Sequence, residues 1–306
     1  MKPPTVSVVI PTLQRDEVLV DTVSALLAQA PPPAEILVLD QTPQHEEHVE
    51  QRLSVWDASG QIRWLRLPVP SITKAMNQGL LAARSEVVLF LDDDIVPEPG
   101  LIAAHAGRYI DSVVSGVVGQ IVQPWQTRCT GIPAQRGKGI WRDLEFPFNT
   151  DQPAEILNAM AGNLSVRRDR AIQAGGFDEN FKGVAYRFET EFARRLVRGG
   201  GKLVFEPSAG IYHLKASRGG TRAYGNPLCS ASPAHSVGEY YMALRESRGL
   251  ERWSFILWRI FRSVRTRFHL RHPWWIPITL IAELRGLLWA IRLNHRGPVL
   301  LKELQP

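Results

Sequence analysis

The chain has 306 residues, 44% of them hydrophobic and 22% charged, which excludes a disordered protein and allows one large domain or a domain with an appendage. Its two cysteines, Cys129 and Cys229, are too few for a disulfide framework or a thiolate zinc site. The net charge of +6 is uneven: residues 235–306 hold 12 Lys/Arg against 5 Asp/Glu, net +7, and residues 1–234 come to −1, so the body is no nucleic-acid binder and the basic tail has a different partner.

From the start of the chain, "MKPPTVSVVIPT" lacks the apolar stretch of a signal peptide, which gives the expectation of a cytoplasmic protein. "VSVVIPT" (6–12) predicts a buried strand, "DEVLVDTVSALLAQA" (16–30) an amphipathic helix and "AEILVLD" (34–40) a second strand. A helix over 46–57, a strand over 61–67, a helix over 71–84 and a fourth strand over 86–92 follow. Alternation of this kind implies right-handed crossovers and an α/β, Rossmann-like, mainly parallel sheet flanked by helices. Ligands of such sheets bind beyond the carboxyl ends of the strands, where Thr12, Asp40 and Asp92 fall.

The fourth strand carries the strongest chemical signal. In "VVLFLDDDIVPEPG" an unbroken apolar run, Val87 to Leu91, delivers Asp92, Asp93 and Asp94 together. Three adjacent carboxylates repel one another unless a cation or hydrogen-bond donors offset the repulsion. Strand one is followed by "PTLQRDE", with no glycine-rich phosphate loop, so phosphate charge must be met in another way. Oxygen ligands of this type suit Mg²⁺ or Mn²⁺, with positions left open for substrate phosphates. The competing reading is that the acids cap a helix starting near Leu101 or lie solvated in a turn.

Together with "NQGLLAARSEVVLFLDDDIVPEPGLI", "NAMAGNLSVRRDRAIQAGGFDENF" and "FETEFARRLVRGG", the first forty residues resemble the GT-A-fold, family 2 glycosyltransferases over roughly residues 5–215. The resemblance implies an inverting enzyme that moves a sugar from a nucleotide diphosphate to an acceptor hydroxyl, on a glycan or a lipid. It places Asp92-x-Asp94 on the family's D-x-D motif, with Asp92 toward the ribose, Asp94 on the metal and Asp93 less defined. Thr12 and Asp40 would hold base and ribose, and Gln41 stands where a second acid is usual. Lys74 and Asn77 fall where the family often has Arg-Asn. Glu189 takes the position of the general base, usually an aspartate, with Phe188 in place of the preceding acid; Glu191 is the alternative, and either acid could instead pair with Arg194 or Arg195. Gly162 and Asn163 match the acceptor-side turn. His213 would complete the metal site, and Lys215, Arg218 and Arg222 around Gly219-Gly220 would close over the diphosphate.

The tail interleaves tryptophan and aliphatic residues with arginine. The span from Trp274 to Leu293 approaches the ~20 apolar residues that cross a bilayer, but Glu283, Arg285 and Arg292 interrupt it. The sequence therefore predicts a GT-A domain over 1–234 and a membrane-associating helical appendage over 235–306, peripheral on the inner face of the membrane; a helical cap or dimer face is the bland alternative. For the whole chain, a nucleotidyltransferase and an inactive glycan-binding or scaffolding relative are the competing readings.

Overall fold

A computed structural model describes residues 2–134 and 136–301. The alternating first third folds as β1 (Val6–Thr12), α1 (Glu17–Leu27), β2 (Glu35–Asp40), α2 (Glu47–Ala58), β3 (Arg63–Arg66), α3 (Ile72–Ala82) and β4 (Val87–Leu91). β1, β2 and β4 are the apolar runs, and they pair in parallel at the centre of the sheet, buried on both faces. β3, with arginine at each end, takes the edge beside β2. Gly79 lets α3 press onto β1: a Cβ there would lie 2.3 Å from a methyl of Val9.

The rest of the sheet forms from β5 (Ile95–Pro97), α4 (Leu101–Arg108), β6 (Val114–Val122), β7 (Ala154–Glu155), β8 (Asn163–Arg167), α5 (Arg168–Gln173), α6 (Phe188–Arg198) and β9 (Lys202–His213). The strand order is β3-β2-β1-β4-β8-β6-β9-β5, with β7 also on β9. β1, β2, β3, β4, β6 and β9 run in one direction, while β5, β7 and β8 oppose their partners. The short β5 matters most for the site. By pairing Ile95 with His213, it folds the three aspartates between the end of β4 and the end of β9.

The tail comprises α7 (Val237–Glu246), α8 (Gly249–Val264), α9 (Arg267–Arg271) and α10 (Ile276–Arg296). Val237 and Tyr240 to Ala243 of α7, Phe255 and Ile256 of α8, and Ala290 and Leu293 of α10 belong to the same apolar cluster as the strands. The helices are thus docked on the body by their inner faces. Outward, α8 leaves Leu250, Trp253, Leu257 and Phe261 exposed, and α10 leaves Ile281, Leu284 and Leu288. Among the described residues, no helix is long and apolar enough to cross a membrane. Residues 302–306 of the expected tail lie outside the described residues.

Candidate functional site

A cavity of about 270 Å³ opens at the carboxyl ends of β1 and β4. Thr12, Arg15, Gln41, Asp92, Asp93, Asp94, Gly162, Glu189 and His213 all line it. Asp92, Asp94 and His213 each turn one ligand atom inward, and these atoms lie within 4.8 Å of one another. His213 Nε2 is 3.0 Å from Asp94 Oδ1 and 3.6 Å from Asp92 Oδ2. Its Nδ1 bonds Gln123 Oε1 at 2.9 Å, an acceptor, so Nδ1 carries the hydrogen and Nε2 is the nitrogen aimed at the carboxylates. Burial lowers the proton affinity of His213, but the carboxylates of Asp94 and Asp92 outweigh it and raise the value above the ordinary one. The donor set of two carboxylates and an oriented imidazole fits a divalent cation.

The three acids divide their work. Asp92 is the half-exposed one, and Gly162 makes room for it: a Cβ at 162 would meet Asp92 Oδ2 at 2.2 Å. Asp94 is buried, accepts from the Ala216 N–H at 2.7 Å and faces Arg15 Nη2 at 3.3 Å. Asp93 turns back toward β1, where Thr12 Oγ1 donates to it at 2.7 Å, and burial pushes its carboxyl up to about 7. Thr12 therefore lines the cavity with its hydroxyl already committed. Gln41 also lines it, accepting from the Ser71 N–H and so pinning the loop that enters α3.

Glu189, in the first turn of α6, also lines the cavity. Its Oε2 has no hydrogen-bond partner among the described residues, and burial pushes the carboxyl up to about 7 despite the nearby Arg187 cation. Glu191, the alternative, is spent. It is buried and takes both Arg195 Nε and Nη2 at 2.9 and 2.8 Å, while Arg194 turns to the carbonyls of Ile140 and Arg142.

Several of the expected site residues lie outside the cavity lining and bond within the protein. Asp40 does not reach the cavity: fully buried, it holds His45 Nε2 and Trp64 Nε1, each at 2.9 Å, and these bonds keep its carboxyl below the usual range against the opposing effect of burial. Asn77 is a latch, donating to Phe177 O and accepting from Phe177 N–H, and Asn163 likewise spans Gln120 O, Ala209 O and His105. Lys74 lies on α3 outside the lining, Lys215 sits 3.8 Å over the Trp125 ring, and Arg218 and Arg222 are also outside; from that segment Gly220 and Tyr224 reach the cavity.

Arg15 is the site residue that sequence reading passes over. It is 6% exposed, packs beside Asp93 and Asp94, and its Nε and Nη1 lack hydrogen-bond partners among the described residues. Its signal in the sequence is a lone cation three residues past the first strand, in "PTLQRDE". Tyr186 and Ser71 are further lining residues that no motif marks, and Met160 lines the cavity from within the "NAMAGN" segment.

The model of the family described as Glycosyl transferase family 2 matches residues 7–173. A pre-mycofactocin glycosyltransferase of Mycobacterium tuberculosis is 28% identical over 142 residues, 45% of this chain and 29% of the relative. A glucosyl-dolichyl phosphate glucuronosyltransferase of Haloferax volcanii is 26% identical over 179 residues, 57% of this chain and 56% of that one. The chain thus spans less than two thirds of either relative. Among solved structures, GalNAc-T7 with UDP, GalNAc and Mn²⁺ superposes with a TM-score of 0.60 at 16% identity, over 81% of this chain and 52% of that one. The mannosyltransferase PcManGT of Pyrobaculum calidifontis, in complex with GDP-Man and Mn²⁺, gives 0.56 at 16% identity over 97% and 80%. At these identities the likeness is one of fold.

Proposed function

From a chain that belongs to glycosyl transferase family 2 and has the GT-A fold, we propose an inverting glycosyltransferase that moves a sugar from a nucleotide diphosphate sugar to a hydroxyl of a glycan or lipid-linked acceptor. One observation carries the reading: Glu189, a carboxylate with an unpartnered oxygen and a pKa near 7, shares a cavity with a cation-ready group of Asp92, Asp94 and His213. The acceptor oxygen attacks the anomeric carbon from the face opposite the diphosphate. The new C–O bond forms as the sugar–phosphate C–O bond breaks, its electron pair leaves with the nucleoside diphosphate, and the hydroxyl proton ends on Glu189. A base whose buried Oε2 raises its proton affinity toward neutrality binds the proton well once it arrives.

Asp92, Asp94 and His213 would hold Mg²⁺ or Mn²⁺, which when bound neutralises charge on the departing diphosphate. Arg15, whose Nη1 has no hydrogen-bond partner among the described residues, would donate to the same phosphates. The relatives' names support a sugar nucleotide donor and, through the Haloferax relative, a lipid-linked acceptor. A docked tail with an exposed apolar stripe and net positive charge fits a peripheral contact with an anionic leaflet on the cytoplasmic side, next to such an acceptor.

The test is thermal unfolding with UDP or GDP, with and without Mn²⁺. A ligand that binds only the folded chain raises its stability, by about 2.7 kcal/mol at a hundredfold excess over Kd. One of the nucleotides should stabilise the wild type only with Mn²⁺, and Asp94→Asn should abolish the response. An equal response in Asp94→Asn would overturn the site assignment.

A further inference from the structure

The turn that delivers Glu189 is built from unfavourable backbone. Gly183, Ala185 and Arg187 have φ of 65°, 58° and 71°, so two side-chain-bearing residues sit in the left-handed region within three positions. Such conformations persist where surrounding contacts over-determine them, and they concentrate at functional sites. Here the turn lies in the cavity wall: Gly183, Val184, Ala185 and Tyr186 all line it, immediately before Phe188 and Glu189.

What holds the turn comes from the body, from Ala234 at its end, and from the tail. Val184 N–H donates to Ala234 O at 3.0 Å, and Gly238 of α7 lies so close that a Cβ there would be 2.4 Å from Tyr186 O. Arg187, the residue that enters α6, is fixed on several sides: Nη1 donates to Leu144 O at 3.2 Å, Nη2 lies 3.6 Å from Glu145, and Nε faces Glu239 Oε1 of α7 at 3.5 Å. Glu239 is itself 4% exposed and is held by Arg262 Nη2 at 2.9 Å and by Arg259, both of α8. An ion-pair relay therefore runs from α8 through Glu239 to the residue two before the carboxylate.

We propose that Arg187 is a positioning residue: pinned by Glu239, it holds the left-handed turn that sets Glu189 in the cavity, so that the tail helices form part of the catalytic machinery. The proposal rests on the reading of Glu189 as the base. It explains why a buried acid and two arginines are kept beneath the site at the expense of desolvation, since such networks specify a geometry more than they stabilise a fold.

The experiment uses the full chain with Mn²⁺ and follows UDP or GDP release from UDP-glucose, UDP-N-acetylgalactosamine and GDP-mannose. Misplacing a reacting group by about 1 Å costs about a hundredfold in rate. Arg187→Ala should lower kcat by roughly ten- to a hundredfold with the donor KM within about twofold, the signature of an interaction felt in the transition state. Arg187→Lys should recover part of the loss. Glu239→Gln should lower kcat in the same direction, and the double variant should be no worse than Arg187→Ala, because both act along one path. Amide exchange across residues 184–189 gives a readout that needs no turnover, and it should quicken in Arg187→Ala and in Glu239→Gln. Wild-type kcat or unchanged exchange in these variants, or a loss confined to the donor KM, would overturn the proposal. Failure of the underlying reading looks different: Glu189→Gln would then retain full turnover.

Discussion

Glu189→Gln should cost the enzyme its reaction and make the protein more stable, but only above a certain pH. Glutamine keeps the size of the side chain and cannot accept a proton, so turnover should fall by about 10² to 10⁴ with donor binding preserved. The stability effect follows from the same burial. A carboxyl moved from 4.5 to about 7 by desolvation resists ionisation in the folded chain. Each tenfold change in proton affinity is worth about 1.4 kcal/mol, so the ionised form carries a penalty of roughly 3 kcal/mol. The sign follows from proton binding. Because the folded value is raised, the folded state holds the proton that the unfolded state has released, and stability is fully present below about 4.5 and lost as pH rises to about 7. The amide cannot ionise and escapes that loss. Thermal unfolding without metal or nucleotide should give nearly equal Tm values near pH 5 and a gain of about 4 to 6 °C for Glu189→Gln near pH 8. An equal Tm difference at both pH values would refute the desolvated-base argument, and so would a variant that keeps its rate.

Gly162→Ala puts a Cβ 2.2 Å from Asp92 Oδ2, so the carboxylate must move; calorimetry should show Mn²⁺-dependent nucleotide affinity reduced about tenfold, near 1.4 kcal/mol, and an unchanged Kd would remove Asp92 from the ligand site. Asp40→Asn breaks a buried pair with His45 and should lower stability by about 3 to 5 kcal/mol in denaturant titrations while leaving the donor KM alone; a KM effect without a stability effect would return Asp40 to the ribose. On α8, replacing exposed Trp253, Leu257 and Phe261 by serine should abolish co-sedimentation with anionic vesicles, and high salt should weaken the wild type through screening; full pelleting of the triple variant would leave the helices as a cap on the body.

The first half of the sheet was legible because its strands are short apolar runs buried on both faces and its helices are periodic. Val6–Thr12, Glu35–Asp40 and Val87–Leu91 fall within a residue or so of where patterning puts them. The second half was not, because its organisation depends on register. No local pattern announces that the three residues of β5 pair with the far end of β9, yet this pairing puts His213 beside Asp94. The tail shows a related limit. Its positive charge is visible in the composition, but Arg259 is buried against Glu239 while Arg262 pairs with the same acid from an exposed position, and only the fold separates such arginines from those left to meet a surface.

Residue type at a strand end says that a polar side chain is needed there, not which way it faces. Asp40 and Asn163 at strand ends, and Asn77 within α3, all occupy positions where a ligand contact is reasonable, and all three spend their hydrogen bonds on the protein. Asn77 and Asn163 pair backbone carbonyls and amides that chain turns bury, for which a short side chain with fixed donors and acceptors is the economical partner, while Asp40 holds the His45 and Trp64 rings. A group that serves a ligand has the opposite mark. Arg15 and Glu189 both hold buried polar atoms with no hydrogen-bond partner among the described residues, and both line the cavity. An unsatisfied buried donor or acceptor costs about 1 to 3 kcal/mol, a cost that selection for stability alone would remove. Gln29, Gln120, His235 and Arg259 also hold such atoms, but Arg15 and Glu189 are the two that line the cavity, which is why the proposed reaction is built on them. The turn strained at Ala185 and Arg187 belongs to the same account, since it leads directly into the carboxylate whose Oε2 has no hydrogen-bond partner among the described residues.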